Sequence, residues 1–597
     1  MTANQSFVMN NNSIENFLRG EDMMKASKAV LAMLKAYNVT DVFGLPGETT
    51  LSLYEAWEEY PEIKYHLTRD ERNSVFMADA YAKATGRVGI CEGPSVGATH
   101  MVPGVVEAFQ SCVPLIVMTT DIDLKTGPKN MLTGFDQSAL FKSIAKDSLT
   151  VTDASEIPHL FRRAFRTATT GRPGPVHIRI PMDTLEGEVA DGDIYAQSRY
   201  AAFPGCRNSA ATADIMEAAK ILAAARRPVM ICGQGVVHSS AWEEAAQLSK
   251  MQDIPVGSTI NAKGCISDQE PLSMGVIGAR GGREWNNKMI KEADVVLFAA
   301  TSTDSANTDG WNIPSAASGQ KFIQIDISER ELGNNYDALP LFGDVRETLA
   351  ALAAALEGMP SPDRGAWAAR CAEEKAAHEK RLEGVMARYG DKLHPLSLVR
   401  AIERLTPDTA FFAVDPGSSA IYSSCFLRIG RAGRRAAYNF SMGTLGYAIP
   451  AAMGARCGTA AEAPVIGLIG DGSFGFCGAE LETAARLGLK IVYVLFNNGA
   501  FGWIRGTQRV HSKAEITESF RRFTDFAEVD YVKFAESMGL RGYRVGGMKE
   551  FEEVFKKCLA ADGASLIDVP LPPEDRQLPP VPGWAAAKIA KDEDMTY

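Results

Sequence analysis

The chain has 597 residues, of which 46% are hydrophobic and 23% are charged, a balance typical of globular proteins and unlike that of disordered, collagenous or coiled-coil chains. Acidic residues (73) outnumber basic residues (62), and the net charge of −11 argues against nucleic acid or an anionic membrane as a partner. The ten cysteines show no CxxC spacing, so we expect free thiols in a reducing cytoplasm. No stretch approaches the roughly 20 apolar residues of a membrane span.

Short apolar runs alternate with amphipathic helical segments along the whole chain. Most runs are apolar on both faces; examples are residues 114–118, 228–231, 295–298, 322–325, 465–469 and 491–496. Strands buried on both faces are typical of parallel sheets covered by helices. The pattern therefore predicts an α/β fold of doubly wound parallel-sheet domains.

The alternation groups into three α/β blocks of similar size. Polar or charged stretches separate the blocks, and the two ends of the chain have the composition of an arm and a tail. In chain order we place the arm, first block, second block, helical linker, third block and tail at residues 1–22, 23–189, 210–357, 358–391, 392–575 and 576–597.

Two acids of the first block are candidate site residues. Glu48 comes after the glycine turn Phe43-Gly-Leu-Pro-Gly47, and Glu71 begins a helix that continues to Gly86. An acid at a helix start often only complements the helix dipole, and an acid in a glycine turn is often a surface residue.

The strongest signal lies in the third block. One apolar strand is followed by the motif Gly470-Asp471-Gly472-Ser473, and a helix is predicted at 479–487. The next strand ends at Asn497-Asn498, and Asn498 lies 27 positions after Asp471. In a βαβ unit both loops lie at the same edge of the sheet. Their oxygens suit an octahedral Mg²⁺, and the helix start offers donors to a diphosphate. Each motif alone is usually an ordinary turn, but together they favour this site.

With these motifs the chain resembles the thiamine-diphosphate enzymes of the acetolactate synthase and pyruvate decarboxylase superfamily, over about residues 23–571. The resemblance implies a pyrimidine-binding, a central and a diphosphate-binding domain. It implies that Mg²⁺ is held by Asp471, Asn498 and the carbonyl of Ala500. It also implies two diphosphate loops, which contain Gly417, Ser418 and Ser419, and Gly470, Gly472 and Ser473.

The resemblance also assigns the residues around the two rings of the cofactor. Tyr81-Ala-Lys-Ala-Thr-Gly86 resembles the family's "YARATG", which places Glu71 at the pyrimidine N1′. A carboxylate there favours the imino tautomer, whose 4′ nitrogen takes the proton from thiazolium C2 and leaves a carbanion nucleophile. The segment 439–447 resembles the loop between the rings, with Leu445 as the wedge and the Gly443 carbonyl as acceptor for the 4′ amino group.

The site segments resemble two branches of the superfamily. Residues 93–99 resemble the "SGPGATN" of acetolactate synthases, with His100 in place of the final Asn, whereas residues 501–507 lack the tryptophan that favours an oxo-acid acceptor. Residues 43–48 resemble the "FGLPGD" of pyruvate decarboxylases, but Ile504 stands where those enzymes have a catalytic glutamate. We therefore assign proton transfer to Glu48 and His100.

The resemblance implies an enzyme that decarboxylates a 2-oxo acid, forms an acyl-anion (enamine) intermediate and transfers it to a carbonyl acceptor. The alternatives are a simple 2-oxo-acid decarboxylase, a 2-hydroxyketone lyase and a non-catalytic homologue that keeps the cofactor. It further implies a homodimer or homotetramer in which Glu71 of one subunit meets the cofactor that Asp471 of another subunit holds.

The sequence of the second block does not decide whether this block binds a flavin. The lone Gly233-Gln-Gly235 is weak evidence for a dinucleotide, and Ala300-Thr-Ser-Thr-Asp304 replaces the family's flavin segment "GARFDD", so the sequence does not support FAD. An empty domain or an adenine nucleotide is an equal alternative. Arg280 and Arg505 are candidates to meet a substrate carboxylate or a ligand of this domain.

Overall fold

The computed structural model describes residues 22–126, 129–513, 516–574, 577 and 579–584. The predicted arm, except residue 22, and most of the predicted tail lie outside the described residues. The chain divides into two compact units, one made of the described residues up to Asp79 with Arg87–Cys206, and one made of Ala80–Gly86 with the described residues from Arg207 onward.

The first unit contains a six-stranded parallel sheet. Its strands lie in the order Lys64–Leu67, Asp41–Gly44, Gly89–Gly93, Leu115–Asp121, Val176–Pro181 and Asp147–Thr150. A separate antiparallel pair joins Met23–Lys25 to Glu188–Ala190. The α-helices that begin in this unit are Ala26–Ala36, Leu51–Trp57, Glu71–Thr85, Gly97–Gln110, Gln137–Phe141, Ile157–Thr169 and Met182–Leu185.

The second unit contains two more six-stranded parallel sheets. The strands of the central sheet lie in the order Ser273–Val276, Val256–Ser258, Pro228–Cys232, Val295–Ala299, Lys321–Asp326 and Ala338–Phe342. Those of the third sheet lie in the order Ala436–Tyr438, Phe411–Val414, Val465–Gly470, Val492–Asn497, Ser565–Pro570 and Arg541–Arg544.

Helices accompany both sheets of the second unit. Those of the central region are Thr212–Ala224, Gln234–His238, Trp242–Gln252, Glu284–Glu292, Val345–Leu356 and Gly365–Tyr389. Those of the third region are Pro395–Leu405, Ser418–Phe426, Ala448–Gly458, Asp471–Cys477, Leu481–Arg486, Gly502–Ser512, Glu518–Arg521, Tyr531–Ser537 and Met548–Ala560. Among the described residues, no helix has both the length and the apolar character that a bilayer crossing requires.

The three parallel sheets confirm the predicted α/β class. Central strands such as Val295–Ala299 are buried along their whole length, as expected when helices cover both faces of a sheet. The helix predicted at 479–487 is present as the 3₁₀ turn Gly478–Glu480 and the α-helix Leu481–Arg486, and a further short helix, Asp471–Cys477, precedes it. The Gly-Asp-Gly-Ser motif is therefore the first turn of a helix, which places its backbone N–H groups at a helix start.

Candidate functional site

The strand order reverses at one point in the third sheet. The strand Phe411–Val414 pairs with Ala436–Tyr438 on one side and with Val465–Gly470 on the other. In open α/β sheets ligands bind at such a switch point, outside the carboxyl ends of the strands. The loops that follow Val414 and Gly470 therefore start where a ligand is expected.

Asp471 is the buried acid of this edge. It is 5% exposed, its Oδ1 accepts the backbone N–H of Gly472 at 2.8 Å, and its Oδ2 accepts those of Asn498 and Gly499 at 3.0 and 2.6 Å. Burial raises the pKa of Asp471 to about 6 although these N–H groups favour the charged form. A divalent cation next to this carboxylate would offset the cost of its buried charge.

The side chains of Asn498 and Asp471 both accept a hydrogen bond from the same backbone N–H, that of Ala500. The N–H of Ala500 lies 3.2 Å from Oδ2 of Asp471 and 3.0 Å from Oδ1 of Asn498, so two hard oxygen atoms meet there. The Nδ2 of Asn498 donates to Oε1 of Glu574 on the other side. The donor set therefore fits Mg²⁺, with the Ala500 carbonyl in the same loop.

The loop after Val414 begins a second helix at this edge. Gly417 has φ of 117°, which favours glycine, and precedes the helix Ser418–Phe426. The Ser418 hydroxyl donates to Oε1 of Glu574 at 3.0 Å, and the Ser419 hydroxyl donates to the Asp415 carbonyl at 3.0 Å. What these residues offer a diphosphate is therefore mainly the backbone N–H groups of the helix start.

The loop that carries Leu445 is tied to the same strand. Oδ1 of the buried Asp415 accepts the N–H groups of Tyr447 and Ala448 at 2.8 and 3.0 Å. Gly443 and Gly446 adopt positive φ of 74° and 87° on either side of Leu445. Asp415 was not predicted as a site residue; it positions this loop through the start of the following helix.

These loops enclose a cavity of about 470 Å³. Every predicted cofactor and metal residue of the third block lines it: Gly417, Ser418, Ser419, Gly443, Leu445, Gly470, Asp471, Gly472, Ser473, Asn498 and Ala500. Its other walls include Arg280, Phe440, Trp503 and Ile504, so an aromatic and apolar surface continues from the polar end.

Arg280 is the basic residue in this lining. Its guanidinium lies 4.7 Å from the ring centroid of Trp503, and Trp503 packs edge-on against Trp584 at 5.2 Å. Burial lowers the pKa of Arg280 from its ordinary value. Arg505, the other predicted arginine, is buried in an ion pair with Asp525 and also donates to Thr524 at 3.2 Å, so it serves local structure.

Glu71 and His100 are neighbours in the first unit. Glu71 is 6% exposed at the first residue of its helix, and its Oε2 lies 3.2 Å from Nδ1 of the exposed His100. A Cβ at position 97 would lie 2.5 Å from Oε1 of Glu71, so only glycine leaves room for the carboxylate. The structure therefore unites two residues that lie 29 positions apart.

Glu48 lies on an adjacent loop of the same unit. It is exposed and begins the short 3₁₀ turn Glu48–Thr50. The Thr49 hydroxyl accepts the N–H of Ser95 at 3.1 Å, which ties this turn to the loop that precedes His100. Both loops follow strands at the point where the order of the first sheet reverses.

A second buried acid, Glu92, was not predicted. It is 1% exposed, and Oε1 accepts the hydroxyls of Tyr54 and, at 3.4 Å, Tyr65. Burial, with a smaller contribution from the charge of Glu71, raises the pKa of Glu92 to about 8. The only sequence signal was an acid inside an apolar strand, Gly89–Gly93.

We expect Glu92→Gln to remove a pH-dependent loss of stability. The unfolded carboxyl titrates near 4.5 and the folded one near 8, so between these values the folded state binds more protons and wild-type stability falls as pH rises. The melting temperature of the variant minus that of wild type should therefore increase from pH 5 to pH 8. A difference that stays constant would contradict a protonated Glu92.

Three regions of the chain, one for each parallel sheet, match models of known protein families. Models described as the N-terminal TPP binding, central and C-terminal TPP binding domains of thiamine pyrophosphate enzymes match residues 24–140, 215–352 and 415–569. A probable acetolactate synthase large subunit of Methanocaldococcus jannaschii is 31% identical over 94% of each chain.

Two other relatives are named for different activities. An acetolactate synthase of Arthrospira platensis is 29% identical over 91% of this chain and 93% of that protein. A probable 2-ketoarginine decarboxylase of Pseudomonas aeruginosa is 35% identical over 82% of this chain and 84% of that protein. The chain is thus similar, over most of its length, both to acetolactate synthases and to a probable 2-ketoarginine decarboxylase.

Proposed function

Because the chain belongs to the thiamine pyrophosphate enzymes, we propose that it is a Mg²⁺-dependent carboligase that decarboxylates a 2-oxo acid and transfers the remaining acyl group to a carbonyl acceptor. The observation that carries the proposal is the cavity at the switch point of the third sheet. It combines the oxygens of Asp471 and Asn498 at one end with an aromatic wall at the other.

The cofactor would be held by residues with separate tasks. Asp471, Asn498 and the Ala500 carbonyl hold Mg²⁺, and the helix starts at Ser418 and Asp471 hold the diphosphate. Leu445 would contact the rings of the cofactor, and the Gly443 carbonyl would accept a hydrogen bond from the 4′ amino group. When bound, thiamine diphosphate supplies a nucleophilic carbon that cleaves and forms bonds next to a carbonyl.

Residues of the first unit would carry out proton transfer. Glu71 holds a proton at the pyrimidine N1′, and His100, which contacts it, moves a proton at the substrate carbonyl. Glu48 is proposed as a further proton donor because its turn is tied to the same loop. We assign these residues to the cavity of a second copy of the chain, so the active enzyme is a homodimer or a homotetramer.

The cavity walls favour an anionic substrate. Arg280 provides a positive charge beside Trp503, which suits the carboxylate of an oxo acid. The same charge would repel a substrate that itself carries a guanidinium, such as 2-ketoarginine. Ile504 places an alkyl side chain in the lining, which limits protonation in the cavity and favours ligation over aldehyde release.

The proposal keeps the predicted organisation of the chain. Residues 23–189 bind the pyrimidine ring, residues 392–575 bind the diphosphate, and the central domain at 210–357 supplies Arg280. The proposal includes neither FAD nor another nucleotide. It places the enzyme in the cytoplasm, which the free cysteines support.

Product analysis tests ligation. The protein loaded with thiamine diphosphate and Mg²⁺ is incubated with pyruvate, with and without an acceptor aldehyde, and products are identified by mass spectrometry. We expect an adduct of donor and acceptor that has lost carbon dioxide, formed only when both are present.

The same assay separates the alternatives. Aldehyde release in equal amount to carbon dioxide, with no adduct at any acceptor concentration, would instead assign a simple decarboxylase. Cleavage of an added 2-hydroxyketone without loss of carbon dioxide would assign a lyase. A panel of 2-oxo acids with neutral, anionic and cationic side chains covers the case in which pyruvate is not the donor.

A further inference from the structure

Glu574 lies behind the polar end of the cavity, in the segment that follows the last strand of the third sheet. It is 6% exposed, and its Oε1 accepts from both Ser418 and Asn498. The carboxylate lies so close to Gly502 that a Cβ there would overlap it. Two loops of the cavity wall, one with Ser418 and one with Asn498 and Gly502, therefore meet at one buried carboxylate.

The contact with Asn498 decides which end of its amide faces Asp471. With Nδ2 directed at Glu574, Oδ1 accepts the Ala500 N–H at 3.0 Å, beside Oδ2 of Asp471. A reversed amide would direct its oxygen at the oxygen of Glu574 and its NH₂ at the Ala500 N–H, and both contacts would be repulsive. Only the observed orientation presents an oxygen to a cation.

A protonated Glu574 could donate its O–H to a reversed amide, but the amide NH₂ would then still face the Ala500 N–H, so this second contact disfavours reversal in either protonation state. The second oxygen, Oε2, is buried and has no hydrogen-bond partner among the described residues. A buried acceptor left unsatisfied is costly, so the stabilising contacts of Glu574 are those of its other oxygen, with Ser418 and Asn498.

We propose that Glu574 is a positioning residue for the cation site, holding the Asn498 amide so that its oxygen, and not its NH₂ group, faces the metal. This inference rests on the proposed function, in which Asn498 is a Mg²⁺ ligand. Groups that orient metal ligands typically change metal affinity by about 10- to 100-fold when they are removed.

Two replacements of similar size test the proposal. Glu574→Gln keeps an oxygen acceptor, whereas Glu574→Met fills the space without one. Mg²⁺ is titrated into each protein at saturating thiamine diphosphate, and binding is followed by tryptophan fluorescence, because Trp503 lines the cavity. We expect the apparent Kd for Mg²⁺ to rise about tenfold or more in the Met variant and to stay within about threefold of wild type in the Gln variant.

Glu480→Met is the matched control. Glu480 is fully buried in the same unit and accepts from the Thr483 hydroxyl at 2.7 Å, so its loss tests the general effect of deleting a buried carboxylate. Its Kd for Mg²⁺ should equal that of wild type. Melting curves establish that each variant is folded, and Glu574→Leu, which also lacks an oxygen acceptor, takes the place of the Met variant if that variant does not fold.

The outcomes separate the inference from the proposed function. An unchanged Kd in the Met variant, or an equal loss in the control, overturns the positioning role. An equal loss in the Gln and Met variants would show that the charge of Glu574 matters rather than the amide orientation, and would also overturn it. If wild type itself gives no Mg²⁺-dependent signal, the proposed metal site fails, and the inference falls with it.

Discussion

Replacing Glu71 by Gln should lower turnover by about 10³-fold while thiamine diphosphate still binds. Gln has the same shape and fits the space beside Gly97, where a Cβ would lie 2.5 Å from Oε1 of Glu71. An amide, however, does not hold the proton at the pyrimidine N1′ that the proposed activation requires. Steady-state rates measure the loss, and a cofactor titration followed by fluorescence or calorimetry establishes that binding persists.

The control for this prediction is Glu107→Gln in the same unit. Glu107 is fully buried and accepts from the Ser111 hydroxyl at 2.7 Å, and it has no proposed role in the chemistry. It should keep near wild-type turnover. If Glu71→Gln retains more than about a tenth of the activity, Glu71 is not the activating acid.

The second large effect is expected at Asp471, where Asn should abolish cofactor binding at ordinary Mg²⁺ concentrations. The carboxylate accepts backbone N–H groups through both oxygens, so an amide NH₂ in either position faces a donor. The substitution also removes the negative charge that attracts the cation. We expect the apparent affinity for Mg²⁺ with thiamine diphosphate to fall by about 100-fold or more, measured by calorimetry.

Asp568→Asn provides the comparison for Asp471. Asp568 is buried on the strand Ser565–Pro570 of the same sheet, where it accepts from Asn497 at 2.8 Å and pairs with Arg544 at 3.1 Å. This variant should lose stability but not cofactor affinity. Equal losses of affinity in the two variants would show that Asp471 acts only through the stability of the sheet.

Mixing the Glu71→Gln and Asp471→Asn variants tests whether two copies of the chain share each active site. If Glu71 of one copy serves the cofactor held by Asp471 of another, a mixed dimer of Glu71→Gln and Asp471→Asn contains one intact site. Random exchange of subunits in a dimer should therefore restore about a quarter of wild-type activity. If no activity returns although mixed dimers are detected, the two residues belong to the same copy.

The sequence was most informative where local pattern and chemistry agree. Apolar runs such as 465–469 and 491–496 predicted parallel strands, and the structure has strands at Val465–Gly470 and Val492–Asn497. The spacing of Asp471 and Asn498 then placed both residues at one edge, and their oxygens do converge on the Ala500 N–H. The roles of these residues in binding and catalysis remain predictions.

Residues outside recognisable motifs were missed. Asp415, Glu92 and Glu574 are buried acids whose significance depends on partners 32, 38 and 76 or more positions away, respectively. Arg280 and Arg505 looked equivalent in the sequence, yet one lines the cavity and the other pairs with Asp525.

The amino-acid order alone sufficed for the α/β class, the family and the residues that surround the cavity, because strand period, glycine turns and motif spacing are local properties of the chain. The direction in which a buried polar group points is not local. It depends on which distant donors and acceptors packing brings within about 3 Å, since a buried hydrogen bond is made or lost over such distances. Folding therefore decided that Glu574 faces Asn498, that Glu71 contacts His100 and that Arg280, rather than Arg505, faces the cavity.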